Sequence, residues 1–341
     1  MNKIKRISWI DIAKCIGIIL VLIGHVSKNK NIHTFIYSFH MPLFFIISGY
    51  LYCYKDNYIK NKAIKILIPY LFFSVVSFTY WYFIERNIRG QDINPITPLV
   101  NIILARGGDE NYVYNVALWF LPCLFITEVI CHILIKKVKN IKILSIFILT
   151  LSVIGYIYSL FDFIRLPFGI DIAFVSIGFY FIGYLWKERG EKLFDKLNLS
   201  LIKHIILIIA CFIVIIFSLL LPDMNMANLQ YPLAPPILYI IPTIGTFMIF
   251  EISKLINECK WMEFLGKNSL IIMGIHEPIK RVVLEVIHRI TNISTEILRT
   301  NILGILATTI ILLLICVPII YILNRYFSVL LGKKYEKNNI S

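Results

Sequence analysis

Lys14 and His25, a lysine and a histidine separated by ten residues, carry the clearest chemistry in the chain. Eleven residues of α-helix make about three full turns and rise about 16 Å. The two side chains therefore share one helix face at opposite depths. Asp11 lies one turn before Lys14 on the same face and can hold its ammonium charged. Gly17 and Gly24 leave small surfaces on this helix where another helix or a ligand can approach. A second imidazole follows at His40, within Ser38-Phe39-His40-Met41-Pro42-Leu43-Phe44-Phe45, and Pro42 frees a backbone carbonyl near it. Two imidazoles at similar depth suggest a shared cavity. A neutral imidazole suits general-base work on a hydroxyl, which is a poor nucleophile at neutral pH.

Further candidates are Glu128, His132, Glu251, His276 and Glu277, all within apolar runs. Ionisable groups at such depth are costly and are functional candidates by default. Lys62 and Lys65 precede Ile68-Pro69-Tyr70 and could bind phosphates as point charges, or could simply mark the cytoplasmic side. Trp119, at the start of Trp119-Phe120-Leu121, fits either a substrate contact or an interfacial belt. The alternatives on the first helix stay open too: Lys14 can pair with Asp11 and snorkel, and His25 can merely end the helix near water.

These residues must be positioned by membrane helices. Of 341 residues 58% are hydrophobic and 16% charged, with a mean hydropathy of +0.78. Such a ratio cannot make a water-exposed surface, and it excludes disorder, collagen and coiled coil. Apolar runs predict about ten helices, near 8–27, 33–54, 63–85, 115–136, 142–161, 171–187, 200–221, 235–256, 268–288 and 301–330. The expected fold is all-α, a polytopic membrane helical bundle. The run at 268–288 is disrupted by Pro278, Lys280 and Arg281 and is expected to be short or kinked.

The net charge of +14 reads as topology and not as nucleic-acid binding, because Lys and Arg cluster between apolar runs. Lys3, Lys5, Arg6, Lys55, Lys60, Lys136, Lys137, Lys187, Lys192, Lys196, Lys333, Lys334 and Lys337 fall on one side. That bias puts both termini in the cytoplasm. The N-terminus looks like a signal peptide, but Asp11 and Lys14 interrupt its apolar run and no small-residue cleavage site follows. Residues 1–341 read as a single integral membrane domain with no soluble appendage. The seven cysteines show no metal-ligand spacing, so reduced thiols and no metal are expected. Abundant Lys, Ile and Asn suggest an AT-rich genome, hence a bacterial inner membrane.

Together these motifs resemble the acyltransferase-3 family of membrane proteins, in its fucose 4-O-acetylase-like branch. The family's basic residue, ten others and His match Lys14 to His25. Its Phe-His-x-Pro-Leu-Phe-Phe…Ser-Gly-Tyr stretch matches Phe39 to Tyr50, and its basic segment before Pro-Tyr matches Lys62, Lys65, Pro69 and Tyr70. Trp119–Leu121 and Gly266–Pro278 match further stretches. Lys stands at 14 and 65 where many members have Arg, and Lys lacks the bidentate fork.

The resemblance implies transfer of an acyl group, usually acetyl, from a cytoplasmic acyl-CoA to a hydroxyl of a cell-surface glycan or lipid-linked sugar. The donor would be a substrate, with no permanently bound cofactor. The roles that fit it are His25 as base or transient acyl carrier, Lys14 orienting the donor or balancing charge in the tunnel, and Asp11 holding Lys14 charged. Lys62 and Lys65 would grip the donor phosphates. His40 and His276 would position the acceptor or donate to the oxyanion, beside Trp119 and Glu128. The competing reading is a transporter or flippase of a glycan intermediate, since buried His and Glu and Pro-broken helices serve transport too. A scaffold would leave Lys14 and His25 unexplained.

Overall fold

The structure is a computed structural model describing residues 7–89, 93–196, 200–220, 224–231 and 235–333. The expected inner-side cations Lys3, Lys5, Arg6, Lys334 and Lys337 lie outside the described residues. The molecule is 82% helical with no strand among the described residues. Its main helices are α1 (Ser8–Val26), α2 (Lys30–Tyr37), α3 (His40–Tyr50), α4 (Tyr58–Tyr80), α5 (Phe120–Lys137), α6 (Ile141–Ser159), α7 (Ile170–Leu185), α8 (Ser200–Leu220), α9 (Pro235–Ile256), α10 (Lys260–Lys267), α11 (Ser269–Thr291) and α12 (Ile302–Tyr326). Among the described residues, eight segments are long and apolar enough to cross a membrane, with α2 and α3 forming one of them. α8 and α11 have comparable length, and charges late in α11 lower its hydropathy.

α1 lies at the centre, packed by α2, α3, α9, α10, α11 and α12. Its apolar side chains Ile12, Ile18, Leu22 and Val26 are fully covered. Gly17 meets Leu43 and Phe44 of α3, and Gly24 meets Ile36 and Tyr37 of α2, so both small surfaces are used for helix packing. The α3–α7 pair is closer still. A Cβ on Gly49 would lie 1.8 Å from the Tyr180 carbonyl oxygen, and one on Gly183 1.9 Å from that of Ile46. Only glycine permits this backbone approach. α6 and α12 present largely apolar outer faces, as helices facing lipid should.

Two predicted helices come out differently. The expected single helix over 33–54 is two, because Phe39 leaves helical geometry (φ −148°, ψ −13°) and Pro42 sits in the first turn of α3, where its missing N–H costs nothing. The helix expected over 268–288 to be short or kinked is not short: α11 runs from Ser269 to Thr291 with Pro278 inside it. Pro278 strips the Gly274 carbonyl of its helical donor, and the Asn115 side-chain amide donates to that carbonyl instead, at 2.8 Å.

Candidate functional site

The last turn of α1 meets the middle of α11, and this contact fixes the protonation pattern of His25. His276 Nδ1 lies 3.0 Å from the Ile272 carbonyl oxygen and 2.9 Å from that of Met273. Carbonyls only accept, so His276 Nδ1 carries the hydrogen and Nε2 of the neutral ring is an acceptor. His25 Nδ1 is 2.9 Å from that Nε2 and 2.8 Å from Glu277 Oε1. Both neighbours accept, so His25 Nδ1 carries the proton. His25 Nε2 then holds a free lone pair, and this network-based assignment makes it the basic atom of the site.

Glu277 is buried and multiply ligated. Lys280 Nζ lies 2.6 Å from Oε1 and Arg281 Nη2 3.6 Å from Oε2. The spacings i+3 and i+4 on α11 bring these cations to one carboxylate. Arg281 also bonds Glu85 at 2.6 Å and the Val113 carbonyl. Lys280 Nζ and Arg299 donate to the carbonyls that end α1, His25 O at 3.2 Å and Val26 O at 2.9 Å respectively. Cations at a helix C-terminus satisfy its orphan carbonyls and its dipole.

His25, His276 and Glu277 place three potential ligand atoms within 4.8 Å of one another, a spacing able to hold a metal ion. The Lys280 ammonium already occupies the Glu277 oxygen that a metal would share, and a second cation beside it is electrostatically opposed. The cluster therefore suits proton handling better than chelation.

Two cavities converge on His25. The upper one, of about 570 Å3, is lined by His25, His33, Tyr37, His40, Lys280 and Arg299 among others. It is roofed by Met224, Met226 and Ala227 from the segment 224–231. Asn228 exchanges two 2.9 Å hydrogen bonds with Asp109, and Arg165, held by Asp171 at 2.6 Å, donates to the Ala227 carbonyl. The lower cavity, of about 250 Å3, is mainly apolar and runs from Lys14, Lys267 and Ser269 past Ile18, Val21, Phe44 and Phe120 to His25. His25, Met41 and Trp119 line both cavities.

Lys14 and His25 thus share the wall of one cavity. Lys14 Nζ lies 3.9 Å from buried Asp11. His40 lines the upper cavity and spends its Nδ1 hydrogen on the Ile36 carbonyl at 2.9 Å. The expected oxyanion-donor role for His40 and His276 does not fit, because the single N–H of each neutral ring is committed to backbone. His276 supports His25 from behind, while His40 offers the upper cavity an acceptor nitrogen. Glu128, Lys62 and Lys65 line neither cavity. Lys62 instead pairs with Glu128 at 2.6 Å, supplying the counterion that a buried carboxylate requires. Lys65 is exposed on α4, beside the backbone of Gly332. His132 stacks on Tyr58 (4.4 Å, 10°) and bonds Tyr52, away from the cavities.

Residue types alone did not single out Met41, Lys267 or Arg299. Met41 carries no chemical signal, and Lys267 and Arg299 reach the cavities only through tertiary packing, although the Glu277, Lys280, Arg281 series was visible as i, i+3, i+4.

A helical bundle with a partly buried histidine, hydrogen-bonded to His276 and Glu277 and lining two cavities, is an integral membrane protein with an internal candidate site. The chain matches the acyltransferase-3 family model, described as "Acyltransferase domain", over residues 7–321, and it belongs to that family. It is a multi-pass membrane protein of that family. It is similar to the nodulation protein NolL of Mesorhizobium japonicum, 27% identical over 198 residues, which cover 52% of this chain. The chain spans 47% of that relative's length. No solved structure matches.

Proposed function

We propose that the protein transfers an acyl group, acetyl in the first instance, from a cytoplasmic acyl-CoA to a hydroxyl of a cell-surface glycan or lipid-linked sugar in a bacterial inner membrane. The observation that carries this reading is the meeting of two unlike cavities at one histidine. The lower cavity is smaller and mainly apolar, with Lys14 and Lys267 among its lining, features that suit an acyl-pantetheine arm with phosphates outside. The upper cavity is wider, with imidazoles, Tyr37 and charged groups, features that suit a sugar.

In the proposed reaction the acceptor hydroxyl lies against His25 Nε2. Its proton passes to that nitrogen as its oxygen bonds to the thioester carbon. The tetrahedral adduct collapses, the C–S bond breaks, the ester forms, and the imidazolium returns the proton to the departing thiolate of coenzyme A. Glu277 faces the opposite ring nitrogen and stabilises the transient imidazolium. His40 Nε2 accepts a hydrogen bond from a second acceptor hydroxyl.

The test uses membranes from cells producing the full chain, supplied with radiolabelled acetyl-CoA. Label is expected in alkali-labile esters of the membrane carbohydrate fraction, and His25→Gln should lower its rate by about 10²–10⁴-fold at unchanged protein level. Failure of the intact protein to transfer label, or transfer by His25→Gln at the full rate, overturns the reading.

A further inference from the structure

Met41 and Trp119 are the two side chains besides His25 that border both cavities. Their place follows from the chain. Trp119 ends the 3-10 turn Val116–Trp119 that leads into α5, and it is nearly buried, at 7% exposure. The next residue, Phe120, packs edge-on against Phe44 (5.9 Å) and Phe45 (5.1 Å) of α3, which holds the turn against that helix. Met41 lies in the first turn of the same α3, beside the break at Phe39. One wall of the junction is thus a rigid indole and the other an unbranched, flexible thioether.

Geometry limits where an acyl group can lie during transfer. The acceptor oxygen must come within about 2.6–3.2 Å of His25 Nε2. The carbonyl carbon must lie about 3–3.5 Å from that oxygen. The acyl substituent then extends from the point where the cavities meet, and the side chains that border this point are His25, Met41 and Trp119.

We propose that Met41 and Trp119 select the length of the transferred acyl group, admitting a two-carbon chain and excluding longer unbranched ones. Trp119 sets the fixed wall and Met41 the adjustable one. This rests on the acyl-transfer reading above and adds the specificity of that site. A methylene accommodated or refused in an apolar pocket changes discrimination by about 10–200-fold. Shortening Met41 opens room for the extra carbons, whereas enlarging it removes room.

The experiment compares radiolabelled acetyl-CoA and butyryl-CoA as donors to membranes containing the full chain, reading the ratio of butyryl to acetyl ester formed. The native protein is expected to favour acetyl. Met41→Ala is expected to raise the ratio at least tenfold, Met41→Val by a smaller step, and Trp119→Phe in the same direction. Met41→Phe is expected to depress butyryl transfer further. Because a ratio is read, a general loss of rate leaves the result interpretable, and Met41→Val carries the test should Met41→Ala not accumulate. A ratio within twofold of native in the Met41 and Trp119 variants that accumulate, with acetyl transfer retained, overturns the selector and leaves the acyl-transfer reading standing. Transfer of neither group by the native protein overturns that reading itself.

Discussion

In the proposed reaction, the basicity of His25 Nε2 rests on the hydrogen held at the opposite ring nitrogen, Nδ1. His276 holds its own hydrogen towards the carbonyls of Ile272 and Met273, so it can only accept from His25. Glu277 accepts from the same His25 nitrogen. Glu277→Gln keeps the shape, removes the charge that stabilises a protonated His25, and leaves Lys280 and Arg281 without their shared anion. The expected outcome is a fall of about 10²-fold in transfer, carried by kcat with KM for acetyl-CoA unchanged. A loss of about 3 kcal/mol in stability to thermal denaturation is expected too. Steady-state kinetics and a melting curve on the same preparation separate the two effects. Lys14, His25 and Glu277 were legible in the sequence, because intramembrane ionisable residues are rare. Their grouping was only half legible, since Lys14 and His25 share a helix while Glu277 reaches His25 by tertiary packing. Lys62 and Glu128 show the converse. Each was a candidate ligand-binding group alone, and Lys62 instead pairs with Glu128 Oε1.

The elements that place these groups are set by small residues and by proline. α3 can lie against α7 because Gly49 and Gly183 face each other's helix backbone. Gly266 does the same for α10, where a Cβ would stand 1.7 Å from the Asp11 carbonyl oxygen. Gly183→Leu must push α3 away from α7, and with it Met41 and Phe44 from the lower cavity. The expected outcome is a markedly lower melting temperature and loss of acetyl transfer, against near-native behaviour for an exposed change such as Leu160→Ala on the outer end of α6. Hydropathy located the helices well because apolar length is a local property. It missed the break at Phe39, which lies in that residue's own backbone geometry beside Pro42, and the full length of α11 past Pro278, which depends on a distant donor to a freed carbonyl. Asn115, 159 positions from Gly274, supplies the donor that keeps α11 intact.

Across the whole molecule, two cavities of different character share His25, Met41 and Trp119, and in the proposed reaction donor and acceptor approach through one each. The charge bias of the loops assigns the Lys14 side to the cytoplasm. Inside-out vesicles sealed around their lumen test the combined claim most directly. Radiolabelled acetyl-CoA is added only outside, on the cytoplasmic face, together with a membrane-impermeant esterase. The account predicts labelled ester that survives the esterase until detergent opens the vesicles, and none with His25→Gln. Label removed by the esterase without detergent, or equal protected label with His25→Gln, would contradict it.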